Sequence, residues 1–317
     1  MVALPVVDLA PLRTGDGDLR TLVEGIDRAC RDTGFFAVIG HGIDVGTTEA
    51  VFAAARRFFL QDDEVKERIA IARSDHHRGY VAMESETLQP ELRGDAKEAV
   101  DLGLEIDLDD PSIADLLGVH GPNQWPDVPG FRSAILAYYS AVLEASLVTL
   151  RGIALALDLR PGFFDRRMRL PMCNLRLLHY PPVGEQADDQ LGCGAHSDYG
   201  TVTLLATDGT PGLELLNRSG EWVRVAAPEG ALIVNLGDLL ARWTNDRYVS
   251  TTHRVHSPTE GDRYSIPFFV NPDAGAVVAP LSSCVDDEHP PAYEPITASE
   301  YLRSRFDDTH DYRAAAG

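Results

Sequence analysis

Two histidines and an aspartate carry the first chemical suggestion in the chain. His196 and Asp198 lie two residues apart, just before a run from Tyr199 to Leu205 that is rich in Thr, Val and Leu. That run alternates and reads as a strand. Residues i and i+2 of a strand share a face, so an imidazole nitrogen and a carboxylate oxygen can reach one metal ion. His253, in a second strand-like run from Ser250 to Val255, is the best candidate for a third ligand. Two His and one carboxylate leave half of an octahedron open, the ligand set of non-haem Fe(II) centres that take up O2. Ten residues beyond His253 come Arg263 and Ser265, again i and i+2, which together can hold a carboxylate near that ion. A lone His-x-Asp is weak among 10 His and 49 acidic residues. The three features in this order are far more specific.

Such residues need strands to carry them. From residue 174 to about 279 the chain breaks into short strand-like runs split by turn signals such as Pro181-Pro182, Asp208-Gly209 and Asn245-Asp246. That texture suggests a sandwich or jelly roll. Arg176, Leu178 and Tyr180 share one face of such a run, and Tyr180 can offer its hydroxyl to a ligand oxygen. The front half predicts strands over 4–9, 34–39 and 99–104, and helices over 19–30, 45–60 and 62–72. A long helix over 131–157 buries Ile135, Tyr138, Tyr139, Val142 and Leu150, and its Arg132, Glu144 and Arg151 argue against a membrane span. A short helix follows over 161–168. Thr297 and Glu300 form a capping box that opens a last helix. Residues 74–93, with His76-His77, read as a polar loop able to cover an active site. Residues 107–129 read as a long surface connection.

The totals bound the partners. At 317 residues the chain can bury a large core. A net charge of −21 argues against nucleic acid and against anionic membrane surfaces. Lys66 and Lys97 are the only lysines among 28 basic residues. The four cysteines show no CxxC pairing, which suits a reducing cytoplasmic setting, and Cys193 is not needed as a ligand. Neither a signal peptide nor a transmembrane run is expected from the sequence.

Several stretches together resemble the iron(II)/2-oxoglutarate-dependent oxygenases of the isopenicillin N synthase-like family. They are Gly34-Phe-Phe through Gly42, Lys97-Glu98 with Asp101, Asn123-Gln-Trp-Pro126, Tyr180-Pro-Pro182, His196-x-Asp198, Asn235-Leu-Gly-Asp238, Trp243-Thr-Asn245, His253-Arg-Val255 and Arg263-x-Ser265. The resemblance covers nearly the whole chain. It implies a mainly β fold with flanking helices. The core would be a distorted double-stranded β-helix over 121–317, with an N-terminal α/β region over 1–120 packed on it. It implies His196, Asp198 and His253 as iron ligands, and Arg263 and Ser265 on the distal carboxylate of 2-oxoglutarate with Tyr180 nearer the metal. It also implies O2 as co-substrate, succinate and CO2 as products, and a small organic substrate hydroxylated, desaturated or cyclised, with secondary metabolism the expected setting. Arg176, by its shared face with Tyr180, and Phe269, on the family's pocket side, are candidate substrate contacts. Where many plant members carry Asn-x-Tyr, this chain has Leu178. An oxidase that uses the triad without 2-oxoglutarate, and an ethylene-forming activity on 2-oxoglutarate itself, are the alternatives within the family.

Overall fold

The computed structural model describes residues 1–106, 120–183 and 190–309. Most of the predicted connection over 107–129 therefore lies outside the described residues. Two sheets dominate. The larger has eight strands in the spatial order Val6–Asp8, Phe35–Ile39, Leu232–Leu236, Val202–Thr207, Arg263–Val270, Asn174–Tyr180, Glu98–Gly103 and Gly79–Val81. The smaller has five, in the order Val2–Ala3, Trp222–Ala226, Leu213–Leu216, His253–Val255 and Cys193–His196. Strands from both sides of residue 120 hydrogen-bond into the larger sheet. This is the expected mainly β fold with flanking helices, two sheets enclosing a jelly-roll interior.

Both faces of the larger sheet are covered, and the period of two sorts its residues. On Arg263–Val270, the side chains of Tyr264, Ile266, Phe268 and Val270 join the core beneath the helices. Arg263, Ser265, Pro267 and Phe269 face the space between the sheets. On Asn174–Tyr180, Leu175 and Leu177 go to the helices, while Asn174, Arg176, Leu178 and Tyr180 face inward. Three helices, Leu19–Asp32, Val45–Phe59 and Phe131–Ala156, cover the outer face. The last is long and apolar enough to cross a membrane by length and composition. Here it is a core helix, with 14 of its 26 residues buried. Buried Ser146 and Thr149 return their hydroxyls to the carbonyls of Val142 and Ala145, which satisfies both inside the core. A Cβ on Gly152 would meet Ile26 Cδ1 at 2.6 Å, which sets how closely this helix approaches Leu19–Asp32. The C-terminal helix Ala298–Thr309 opens with the expected capping box: Glu300 N–H donates to Thr297 Oγ1, and Thr297 N–H to Glu300 Oε2.

Some expectations need correction. The helix predicted over 62–72 is one α-turn, Asp63–Lys66, followed by 3₁₀ turns at Glu67–Ile69 and Ile71–Arg73. The chain leaves the helical path at Ala70, which bridges to Tyr80, and Gln124 Nε2 takes the Ala70 carbonyl at 3.0 Å. Residues 161–168 likewise form two 3₁₀ turns with Gly162 out of helical geometry. The polar loop over 74–93 contains the short strand Gly79–Val81.

A buried charge cluster stitches the helices to the sheet. Glu98 accepts from Lys66 Nζ at 2.8 Å, Tyr80 Oη at 2.7 Å and His179 Nδ1 at 2.7 Å. His179 Nε2 lies 2.8 Å from Asp262 Oδ1. A ring with a carboxylate on each nitrogen donates to both only as imidazolium. Burial opposes that charge, but the bonds from Glu98 and Asp262 outweigh it and raise the His179 pKa. The folded state then holds the proton more tightly than the unfolded chain. The stabilisation is complete below about pH 6.5, the unfolded value, and is lost as pH rises through the folded pKa. Urea midpoints measured from pH 6 to 9 should fall in the wild type relative to His179→Gln. Parallel profiles for the two proteins would rule out a charged His179.

Candidate metal centre

The five-stranded sheet places two candidate metal ligands opposite one another. His253 opens its strand directly across from His196 in the antiparallel pair, with ring centroids 4.3 Å apart. Asp198 is not on a strand, contrary to the i, i+2 argument. The chain must cross from the small sheet at His196 to the large one at Val202, and Asp198 sits in that crossing. Its carbonyl is pinned by the N–H of Asp238 at 2.8 Å. A Cβ on Gly237 would meet Gly200 O at 2.2 Å, so only glycine lets the crossing pack so tightly against the turn before helix Asp238–Trp243.

The three side chains converge. One ligand atom from each of His196, Asp198 and His253 lies within 4.8 Å of the others. His196 Nε2 and His253 Nε2 are each 3.8 Å from Asp198 Oδ1. An ion about 2.1 Å from each ligand fits such a set. The remaining atoms are already committed. His196 Nδ1 is 2.8 Å from Gly194 O, and His253 Nδ1 is 3.1 Å from Thr251 O. Carbonyls only accept, so Nδ1 carries the proton in both rings and Nε2 is left with its lone pair for a metal. Asp198 Oδ2 receives Thr203 Oγ1 and, at 2.7 Å, Asn235 Nδ2, which leaves Oδ1 free. Burial works against the Asp198 carboxylate, but His253, His196 and these two bonds outweigh it and lower its pKa. His253 is pushed below the ordinary imidazole range, first by burial and then by His196, so it stays neutral and able to ligate.

The same cavity, of about 460 Å³, holds the predicted anion anchor. Arg263 is 1% exposed. Its Nη1 donates to Ser265 Oγ at 3.3 Å, its Nε to Thr210 O at 3.3 Å, and its guanidinium lies 4.7 Å from the centre of the Tyr180 ring. Burial raises the pKa of the Tyr180 phenol, which keeps its proton as a donor inside the cavity. Among the described residues Arg263 has no carboxylate partner, although buried charges are normally paired.

The two candidate substrate contacts differ. Phe269 lines the cavity while its neighbour Phe268 is core. Arg176 also faces inward, but its Nη2 is 2.6 Å from Glu86 and its Nε 3.4 Å from Asp101. Lys97 adds contacts to Asp95 and, at 3.3 Å, to Glu86. Although burial opposes it, Arg176 and Lys97 hold the Glu86 pKa down at about 2. Sequence reasoning missed Thr203, Asn235 and Glu86. Asn235 and Lys97 stood in quoted motifs, so the signal was there without the role.

Known proteins decide what this centre serves. The pattern described as non-haem dioxygenase in morphine synthesis N-terminal matches residues 4–128, and that of the 2OG-Fe(II) oxygenase superfamily matches residues 171–272. The 2-oxoglutarate-Fe(II) type oxidoreductase hxnY of Emericella nidulans is 36% identical over 97% of this chain and 90% of its own. The chain belongs to the 2OG-Fe(II) oxygenases. The 2-oxoglutarate-dependent dioxygenase citB of Monascus ruber is 37% identical over 98% of this chain and 96% of its own. A full-length Neurospora crassa protein crystallised with alpha-KG, that is 2-oxoglutarate, superimposes with a TM-score of 0.85 at 29% identity, covering 97% of this chain and 96% of that one. This 2OG-Fe(II) oxygenase is thus an Fe(II)- and 2-oxoglutarate-dependent dioxygenase of a small molecule. The co-substrate, left open by Leu178, is 2-oxoglutarate.

The bonds to Asp198 Oδ2 orient a ligand without touching metal. Asn235→Ala should weaken anaerobic Fe(II) binding about 10- to 100-fold, read by titration of the metal-free protein. Unchanged affinity would make Asn235 a bystander.

Proposed function

We propose that His196 Nε2, Asp198 Oδ1 and His253 Nε2 hold the iron, and that Arg263 and Ser265 hold the distal carboxylate of 2-oxoglutarate beside it. Tyr180 closes the co-substrate seat under the Arg263 guanidinium. When bound, the Fe(II) supplies the oxidising chemistry: O2 and 2-oxoglutarate become succinate and CO2 while one oxygen atom is delivered to a carbon of the substrate. The chain's own part is positional. Protonated Nδ1 atoms aim both imidazoles, Thr203 and Asn235 aim the carboxylate, and Leu205, Leu213 and Val255 keep water from the co-substrate. The substrate is a small organic molecule received between Phe269 and the wall carrying Arg176, to be hydroxylated, desaturated or cyclised. Secondary metabolism is the proposed setting. A cytoplasmic location is supported by four cysteines that form no disulfide.

One observation carries the reading: a buried, carboxylate-free Arg263 shares a cavity with three ligand atoms whose other hydrogen-bonding positions are filled. Fe(II) followed by 2-oxoglutarate, added anaerobically to metal-free protein, should produce a visible charge-transfer band. His196→Ala should abolish it. Arg263→Ala should weaken 2-oxoglutarate binding at least about tenfold, since each charge-assisted bond contributes about 1.5–3 kcal/mol. Iron binding with an unaffected band in Arg263→Ala would remove the anchor from its role, and failure to bind iron would remove the triad.

A further inference from the structure

Four cationic side chains are buried among the described residues: Lys66, Arg78, Lys97 and Arg263. The two lysines each touch two carboxylates, Lys66 those of Glu98 and Asp63, Lys97 those of Asp95 and Glu86. Neither arginine has a carboxylate within ion-pair distance among the described residues, and both line the same cavity. Arg263 is explained by 2-oxoglutarate. Arg78 bears the same signature and has no assigned role.

Arg78 is 8% exposed. Its only side-chain hydrogen bond among the described residues runs from Nη1 to the carbonyl of its neighbour His77 at 3.1 Å, and Nε has no partner. Its position is nonetheless built. The Arg78 N–H donates to Ser74 Oγ at 3.2 Å, and its carbonyl receives Gln124 Nε2 at 2.6 Å. The guanidinium lies flat on Gly103, where a Cβ would come within 2.2 Å of Nη2. The carboxylate whose charge acts on it, Asp101, is already engaged by Arg176 and by Asn174 Nδ2 at 2.6 Å.

The two arginines mark opposite ends of one strand. Gly103 pairs with Asn174, and Arg263 pairs with Tyr180. Six residues separate Asn174 from Tyr180, roughly 20 Å of extended chain. Resting on the reading of Arg263 above, we propose that Arg78 is the substrate anchor and that the substrate is a small carboxylic acid. One carboxylate, that of the co-substrate, sits at the Arg263 end, and a second, that of the substrate, sits at the Arg78 end. The body of the acid then spans the cavity past Asn174 and Phe269 toward the metal centre. Arg176, its charge matched by Glu86 and Asp101, is a wall and not the anchor.

The test uses full-length protein loaded anaerobically with Fe(II) and 2-oxoglutarate. The probes are benzoate, phenylacetate, 3-phenylpropionate and hexanoate, each beside its primary amide. Binding is read as a shift of the charge-transfer band, which marks a ligand next to 2-oxoglutarate, whereas bleaching marks one that displaces it. The expected result is that at least one acid shifts the band with an affinity tenfold or more above its amide. Arg78→Met should erase that preference with the band itself intact, and Arg78→Lys should keep part of it. The intact band shows that the variant is folded. Equal binding of acids and amides, no shift by any acid, bleaching only, or a preference that survives in Arg78→Met would each overturn the anchor. Absence of the band in the wild type would instead overturn the metal and co-substrate assignment, a separate failure.

Discussion

The antiparallel pairing of Cys193–His196 with His253–Val255 sets His253 opposite His196, and the rest of the site follows from that register. A strand shifted by one residue turns every side chain to the other face. His253 would then point away from His196, and Arg254, now bound to Glu214, would take its place. The register is held from the other edge as well, where His253 pairs with Leu215 and Val255 with Leu213. Only once the two imidazoles face each other does the crossing between the sheets bring Asp198 into reach. The metal centre is therefore a property of strand pairing first and of side-chain chemistry second.

Charge is distributed by a consistent rule. On the helix side of the large sheet, buried ions are matched, as in the cluster around Glu98. On the cavity side, Glu86 and Asp101 are matched to Arg176, yet Arg263 is not. An unmatched buried guanidinium costs free energy in the ligand-free protein. An anion bound there would offset that cost. The protein as a whole carries −21, so these isolated positive seats also stand out electrostatically to an approaching carboxylate.

Much of this was legible in the sequence. The i, i+2 spacing of Arg263 and Ser265 predicted a shared face because a strand carries them, and the structure agrees. The long helix was legible because its apolar residues recur with helical period over many turns. His196 and Asp198 do come together, but not because they share a strand face: Asp198 lies in a crossing whose shape depends on the distant Asp238 and Gly237. The helix predicted over 62–72 failed for a related cause. Its pattern is helical, but Ala70 is taken by Tyr80 and Gln124, partners that no local window contains. Thr203 and Asn235 look like ordinary strand residues until the fold places Asp198 against them.

The lysines give the molecule an unusual surface. Both are enclosed, Lys66 at 6% exposure and Lys97 at 4%, each locked in ion pairs on or beside the strand Glu98–Gly103. No lysine ammonium is therefore displayed to solvent, and every surface cation among the side chains is an arginine or a histidine. Lysine-specific proteases find their targets only after this part of the large sheet has opened. Their rate of attack reports that local opening, without any engineered label.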